Sequence, residues 1–397
     1  MRSTTPGLLA IAAATSILAG CALPGTSTIP TASTRPSTST SPTATPSTSP
    51  PTPNACTNTS VLGSWSLTRL AEQTLVVPVQ ESDVASVTAE VAAGAGGVIL
   101  FGSSAPANLG SSLHTLTASA PGGIAPLVMT DEEGGVVQRL ANLAGSLPSA
   151  RQMGATMSPA QIRRLVTAVA LRMRAAGVTM DLAPVLDLDN GVGPNNRDPD
   201  GTRSFSLNPS IAAADGIAFL QGLEAGGVVP VVKHFPGLGQ ASGNTDVAPA
   251  TTQPWLALQH AGLGPFLNAF ASGAPAVMIA NATVPGLTSL PASISSVVMT
   301  SVLRDQLGFN GLVMTDSLSA AALAHIGYSV PKAVVAAISA GADMVLYTAA
   351  AAQVAPLTRA TAAALVAAVN AGTLERGRLV SAVVNVLTAK HVNLCAG

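Results

Sequence analysis

Seven short apolar runs, separated by segments with helical patterning, constrain the fold of this chain more than any other feature. Each run is dominated by Val, Ile, Leu, Met and Ala, without the polar alternation of a half-buried strand. The runs span residues 97–101, 126–130, 178–182, 228–232, 276–280, 311–315 and 343–347. Such near-continuous apolar strands are typical of a parallel sheet whose two faces are both buried.

Helical segments lie between these runs. In residues 161–176, for example, Ile162, Val166, Val169 and Met173 recur at helical spacing, while the arginines fall largely off that stripe. Repeated strand–helix order over about 340 residues predicts an α/β fold with one (β/α)8-type TIM barrel as a single domain, residues 56–397. A doubly wound open sheet is the alternative.

The composition supports a large core built from small side chains. Hydrophobic residues make up 48% of the chain and aromatic residues only 3%. Charged residues make up 9%, the net charge is −1, and Lys and Arg form no basic runs. Nucleic acid is therefore not expected as a partner.

The first 20 residues have the pattern of a secretion signal. Arg2 precedes an apolar run over residues 7–20, which is short for a membrane span. The run ends Leu18-Ala19-Gly20 before Cys21, which resembles the lipobox of bacterial lipoproteins. We therefore expect a signal peptide over residues 1–20, lipidation of Cys21 and attachment to the outer face of the cell membrane. An ordinary signal peptide with an incidental cysteine is the alternative.

A Ser/Thr/Pro-rich tract follows and is predicted to form an extended, lipid-anchored stalk over residues 21–55. Two further cysteines remain, Cys56 after the stalk and Cys395 near the end of the chain. In an oxidising envelope they could form a structural disulfide between the two ends of the domain. Two separate thiols are the alternative.

Polar residues follow several of the apolar runs. Asp131, Lys233-His234, Asn281 and Asp316 all stand at the end of a predicted strand. Because the carboxyl ends of parallel barrel strands open on one face, we expect these side chains to converge there. Any single one could instead cap the following helix.

Five motifs give this face a specific resemblance. They are Met129-Thr-Asp-Glu-Glu-Gly-Gly-Val-Val-Gln-Arg139, Gly201-Thr-Arg-Ser-Phe205, Lys233-His-Phe-Pro-Gly-Leu-Gly239, Pro291-Ala-Ser-Ile-Ser295 and Leu307-Gly-Phe-Asn-Gly-Leu-Val-Met-Thr-Asp-Ser317. In this order, they resemble the glycoside hydrolase family 3 β-N-acetylhexosaminidases over nearly all of residues 60–390. With the lipobox, the resemblance is closest to lipoprotein β-N-acetylglucosaminidases of actinobacterial envelopes.

This resemblance implies retaining chemistry with Asp316 as the covalent nucleophile. It also implies that Asp131 accepts hydrogen bonds from sugar hydroxyls, and that Arg203, Lys233 and His234 bind the sugar. A buried cation beside Asp316 would help to keep that carboxylate ionised. Arg203 could instead form a surface ion pair, and His234 could be a core histidine.

The general acid departs from the family pattern. Most relatives carry Asp-Ser/Thr-His in the loop after the Lys-His motif, whereas this chain has Asn244-Thr245-Asp246. We therefore predict Asp246 as the acid/base, because a carboxylic acid can protonate a leaving oxygen if its surroundings raise its pKa. Alternatively, Asp246 is a solvated loop residue and the acid lies elsewhere or activity is reduced. An anionic acid/base would repel phosphate, which favours hydrolysis over phosphorolysis.

The remaining predictions concern ligands and partners. The five histidines show no metal-ligand spacing, so neither a metal nor another cofactor is expected. Asp187 and Asp189 are interpreted as structural or as part of the rim, with a second carboxylate pair as the alternative. The three glycines of residues 237–243 could let that loop move over the site.

We expect a monomer that removes terminal N-acetylglucosamine from a cell-wall-derived glycan or muropeptide. The alternatives are another exo-β-glycosidase specificity or a sugar-binding lipoprotein of the same fold with weakened catalysis.

Overall fold

Eight parallel strands form a barrel in the computed structural model, which describes residues 60–394. With a further pair outside the barrel, the described residues form ten strands: β1 (Leu75–Gln80), β2 (Gly97–Phe101), β3 (Leu127–Thr130), β4 (Met180–Asp181), β5 (Val229–Phe235), β6 (Ala276–Ile279), β7 (Thr283–Val284), β8 (Thr288–Pro291), β9 (Leu312–Thr315) and β10 (Val345–Leu346). Their order in the barrel is β10-β1-β2-β3-β4-β5-β6-β9, while β7 and β8 form a separate antiparallel pair. A parallel bridge between Met314 and Met344 connects β9 to β10, and the predicted barrel is thereby confirmed.

Helices surround the barrel. They are α1 (Ser60–Gly63), α2 (Leu67–Glu72), α3 (Thr88–Ala93), α4 (Leu109–Ala118), α5 (Ala141–Ala144), α6 (Ala150–Thr156), α7 (Pro159–Ala175), α8 (Pro209–Ala225), α9 (Trp255–Ala257), α10 (Gly264–Ala271), α11 (Ala321–His325), α12 (Val330–Ala340), α13 (Ala351–Asn370) and α14 (Arg376–Ala389). Two π-helical segments, Leu258–Gly262 and Val297–Gln306, lie between β5 and β9. Short 3-10 helices span Val84–Val87, Pro121–Gly123, Gly201–Arg203 and Ala292–Ile294.

The core has an inner and an outer layer. Inside the barrel, side chains such as Val76, Ile99, Met129 and Met314 form one cluster. Flexible methionines fill the irregular space that the few aromatic residues leave. Outside the barrel, two larger clusters join the strands to the helices. Both faces of the strands are therefore buried, which explains why their sequences lack alternation.

The predicted helix over residues 161–176 is present as α7. Its stripe residues Ile162, Val166, Val169 and Met173 are buried, and Ser158 forms a capping box with Gln161 at its start. α13 is long and apolar enough to cross a membrane by length and composition. It packs against β1, α2 and α12, as a barrel helix does.

Several predictions lie outside the described residues. These are the signal peptide, Cys21, the stalk, and the pair Cys56 and Cys395. Within the described part, the sequence reasoning missed β1, whose run Leu-Val-Val-Pro-Val-Gln contains a proline. Pro78 lies beyond the short pairing of β1 with β10, which covers only Leu75 and Val76, so its missing N–H interrupts no bond to β10.

Candidate active site

A cavity of about 460 Å³ opens at the carboxyl ends of the barrel strands. It is large enough for a small ligand such as a sugar. The residues predicted for catalysis and sugar binding all line it: Asp131, Arg203, Lys233, His234, Asp246 and Asp316.

The strand ends explain this convergence. Asp131 directly follows β3 and Asp316 directly follows β9, while Lys233 and His234 lie near the end of β5. Arg203 comes from the long β4–α8 connection, where it ends the 3-10 helix Gly201–Arg203. Four elements that are far apart in sequence therefore meet at one rim, because the carboxyl ends of parallel barrel strands open on the same face.

A buried carboxylate, Glu133, organises the cations of the cavity. Its two oxygens accept hydrogen bonds from Arg203 Nε and Nη2, both at 2.7 Å. Lys233 Nζ lies 2.6 Å from Glu133 Oε1 and 2.9 Å from Asp131 Oδ1. A bidentate arginine–carboxylate pair fixes both position and plane of the guanidinium group. Arg203 and Lys233 are thus held in place before a ligand arrives, and Arg203 is not a surface ion pair.

The charges in this cluster reinforce one another. Burial opposes ionisation of Glu133, but Arg203 and Lys233 outweigh it and hold the pKa of Glu133 below its usual range. Burial likewise opposes the charge of Lys233, yet Asp131 and Glu133 raise the pKa of Lys233 above its ordinary value. Glu133, Arg203 and Lys233 are therefore charged at neutral pH, and they form a fixed polar surface in the cavity.

His234 is oriented by Asp187. The ring atom Nδ1 lies 2.7 Å from Asp187 Oδ2, and the backbone N–H groups of His234 and Leu238 also donate to the Asp187 carboxylate. Burial and the nearby Arg203 charge lower the pKa of His234 to about 4, so the ring is neutral at pH 7. With Nδ1–H bonded to Asp187, the other nitrogen, Nε2, is available to the cavity.

Asp200 lies on the same side of His234. The carboxylate is fully buried, and neither of its oxygens has a hydrogen-bond donor. Burial and the neighbouring Asp187 raise the pKa of Asp200 well above its ordinary value of 3.8.

Asp187, Asp200 and His234 offer atoms within 4.8 Å of one another, as a metal site would. However, Asp187 Oδ2 already accepts two N–H groups and Oδ1 a third, which leaves it little capacity for a cation. We therefore interpret Asp187 as a positioning residue.

Asp316 projects into the cavity from a fixed backbone. The backbone N–H of Asp316 donates to Ile279 O at 2.9 Å, and the N–H of Ser317 donates to the carboxylate at 2.7 Å. Burial raises the pKa of Asp316, and Asp246 adds to this effect, while His234 opposes it. The expected cation beside Asp316 is not its direct partner, because Lys233 pairs with Asp131 and Glu133 and only weakly favours ionisation of Asp316.

The loop that carries Asp246 is anchored on both sides, but the Asp246 side chain is exposed. Asn244 Oδ1 accepts a hydrogen bond from the backbone N–H of Asp246 and so stabilises the turn. This contact is to the backbone of Asp246 and not to its carboxylate. Thr245 is buried, and its carbonyl accepts the N–H of Ala322 at the start of α11. Asp246 is thus held at the rim of the cavity that Asp316 lines.

The first half of this loop, around Gly239 and Gln240, is held in place by close packing and a hydrogen bond. A Cβ at Gly239 would lie 2.2 Å from the Leu188 carbonyl oxygen, so this glycine permits close backbone packing. Gln240 N–H donates to Asp189 Oδ2 at 2.9 Å and further ties the loop to the β4 connection. The predicted structural role of Asp189 agrees with this contact.

Asn281 does not line the cavity. The side chain of Asn281 instead donates to Ser317 O at 2.7 Å and braces the segment that follows Asp316.

The sequence reasoning missed Glu133, Asp200 and the positioning contacts of Asp187. The sequence contains a signal for Glu133, because residues two positions apart in an extended segment point to the same side, and Glu133 is two positions after Asp131. Asp131 and Glu133 line the cavity, whereas Glu132 turns away and accepts the backbone N–H groups of Arg139 and Leu140. No spacing signal marks Asp200, which reaches the site through an irregular loop.

Comparison with known proteins places these features in context. The family model described as "Glycosyl hydrolase family 3 N terminal domain" matches residues 72–389. Beta-hexosaminidase LpqI of Mycobacterium tuberculosis is 37% identical over 286 residues, which are 69% of this chain and 70% of that protein. A solved family 3 glycosyl hydrolase from Mycobacterium smegmatis has 34% identity and a TM-score of 0.74, covering 83% of this chain and 98% of its own. The β-N-acetylhexosaminidase of Beutenbergia cavernae has 31% identity and a TM-score of 0.75, covering 83% and 99%.

Proposed function

The chain belongs to glycoside hydrolase family 3, and on this premise we propose that it is a retaining β-N-acetylglucosaminidase that releases terminal N-acetylglucosamine from cell-wall-derived glycans. The resemblance of its motifs to this family is confirmed by the match over residues 72–389. The names of the relatives, β-hexosaminidase and β-N-acetylhexosaminidase, support an N-acetylhexosamine as the released sugar.

The location of Asp316 carries the proposal. A nucleophilic carboxylate must be fixed beneath the anomeric carbon, and the end of a buried strand provides such fixing. In the first step, Asp316 attacks that carbon, the bond from carbon to the leaving oxygen breaks, and Asp246 gives its proton to that oxygen. In the second step, Asp246 takes a proton from water, the water oxygen attacks the same carbon, and the ester bond to Asp316 breaks.

The two carboxyl groups are electrostatically coupled. An ionised Asp246 raises the pKa of Asp316. When Asp246 carries the proton that it will donate, this effect disappears and ionisation of Asp316 is favoured. A proton on position 246 is thus compatible with a charged nucleophile at position 316. After the proton is delivered, the anionic Asp246 repels phosphate, which favours water as the acceptor.

The fixed polar surface is proposed to hold the sugar. Arg203 and Lys233, both held by Glu133, donate to sugar hydroxyls, and Asp131 accepts from them. His234 contributes Nε2. Since these groups are already paired and oriented, little ordering is needed when the sugar binds.

Hydrolysis of an activated aryl β-N-acetylglucosaminide and of a natural disaccharide by the purified domain tests the proposal. Asp316→Asn should abolish both activities. Asp246→Asn should retain more activity on the aryl substrate, because a good leaving group needs little protonation. Asp305→Asn, an exposed aspartate outside the cavity, is the matched control. If the parent is inert on both substrates but binds N-acetylglucosamine, the protein is a sugar-binding lipoprotein, an alternative that the exposed Asp246 supports.

We also propose that Cys21 is lipidated and that the protein sits on the outer face of the cell membrane. The support is the sequence Leu18-Ala19-Gly20-Cys21 after an apolar run. Expression with a labelled fatty acid should label the parent and not Cys21→Ala. A label that persists in the variant would place the anchor elsewhere.

A further inference from the structure

A second cavity, of about 260 Å³, adjoins the catalytic cavity on the same face of the barrel. The two cavities share Phe101, at the end of β2, and Thr348, just after β10. The second cavity extends from these residues past the end of β1 to the start of α13. The two cavities are therefore direct neighbours.

The linings of the two cavities differ. The catalytic cavity presents the charged cluster of Asp131, Glu133, Arg203 and Lys233. The second cavity is lined by the buried aliphatic residues Val79, Val87 and Val354, with polar side chains exposed at its edge: Gln80, Asp83 and Ser86. An apolar floor favours an alkyl, acyl or aryl group and offers little to sugar hydroxyls.

Phe101 separates these two environments. Among the described residues that line the cavities, it provides the one phenyl or indole ring. The ring is half-buried, and the Arg139 guanidinium carbon lies 5.7 Å from its centroid. A half-exposed aromatic face can contact both the apolar face of a sugar ring and an aliphatic group beyond it.

We propose that the second cavity is a subsite for the leaving part of the substrate, and that it takes an apolar alkyl, acyl or aryl group carried by that part. This inference rests on the proposed function. The released sugar needs the polar cavity, so the group that leaves must occupy neighbouring space, and the apolar cavity adjoins the polar one at Phe101 and Thr348. Phe101 and the valines would then determine which leaving groups are preferred.

Binding of an alkyl series tests this directly. Methyl, butyl and hexyl β-N-acetylglucosaminides would be titrated calorimetrically into the full chain carrying Asp316→Asn, which prevents turnover. Each methylene that enters the apolar cavity should lower Kd roughly fourfold. Ala355→Trp, which fills the cavity from α13, should remove this dependence on chain length while leaving the Kd for the methyl glycoside unchanged.

Controls keep the result interpretable. Ala360→Trp places the same ring on an exposed position of α13 outside the cavity and should retain the full chain-length dependence. If Ala355→Trp does not fold, Ala351→Trp at the exposed edge of the cavity replaces it. Equal Kd values along the series, or an unaltered series in the filled variant, would overturn the subsite. If the parent does not hydrolyse the aryl glycoside, the proposed function would be overturned instead.

Discussion

Asp200→Asn should stabilise the protein, and the gain should grow as the pH rises. The carboxylate of Asp200 is completely buried and has no hydrogen-bond donor on either oxygen. Burial, together with Asp187, raises its pKa well above 3.8 in the folded chain. Because the folded pKa is raised, the stabilising effect of the neutral form is full below pH 3.8 and is lost as the pH rises through the folded pKa.

The size of the effect follows from these values. Holding a carboxyl group neutral when its unfolded pKa is 3.8 costs about 1.4 kcal/mol for each pH unit above that value. At pH 7 the limit is therefore about 4 kcal/mol, reached if the folded group is still neutral there. Asparagine has the same shape without the proton, so Asp200→Asn should recover part of this energy at pH 7 and almost none at pH 4.

Urea unfolding followed by circular dichroism at several pH values between 4 and 8 measures this difference. The free-energy difference between variant and parent should widen steadily with pH. Asp305→Asn, at an exposed position, should change stability by less than about 0.5 kcal/mol at every pH. Parallel pH profiles for parent and Asp200→Asn would refute the reasoning, because they would mean that position 200 takes up no proton on folding.

Three further predictions concern the ion pairs and the positioning contact. Glu133→Gln should destabilise the fold by about 3–5 kcal/mol in urea unfolding and raise KM, because it leaves the charges of Arg203 and Lys233 without their full counter-charge. The control Glu224→Gln, at an exposed position, should change neither quantity. Asp343→Ala breaks the buried pairs with Arg304 and Arg378 and should cost a similar free energy without changing kcat, so a fall in kcat would contradict a purely structural role. Asp187→Asn should lower kcat/KM about 10- to 100-fold, because His234 is no longer held in its orientation. A circular dichroism spectrum that matches the parent would show that the variant is folded. Unchanged kinetics would refute the positioning role of Asp187.

Much of the barrel is predictable because its strands are buried on both faces. The runs at 97–101, 228–232 and 311–315 each coincide with a strand or fall mostly within one. β1 escapes detection because its proline is normally a sign against a strand, and only the short pairing with β10 reveals why it is tolerated here. β7 and β8 are short, and two of the four residues of β8 are exposed, so no apolar run marks them.

The candidate site divides in the same way. Asp131, Lys233, His234 and Asp316 were predictable because strand ends in a parallel barrel meet at one face. Arg203 lies on a loop and was reached only through a family motif. Asp200 could not be found at all, because its burial depends on how the irregular β4–α8 connection folds back against His234.

The balance of charge around the cavity connects stability to catalysis. Glu133 and Asp131 are matched by Arg203 and Lys233, and these cations favour ionisation of Glu133. Asp316 is partly buried without such a direct cation, and its pKa is raised. For the proposed nucleophile this difference is favourable, because a carboxylate paired directly to a cation would attack poorly, whereas one without such a pair keeps its charge available for the anomeric carbon. In the proposed mechanism, Arg203 and Lys233 therefore bind the sugar directly while Glu133 holds them in place, and Asp316 is left free to react.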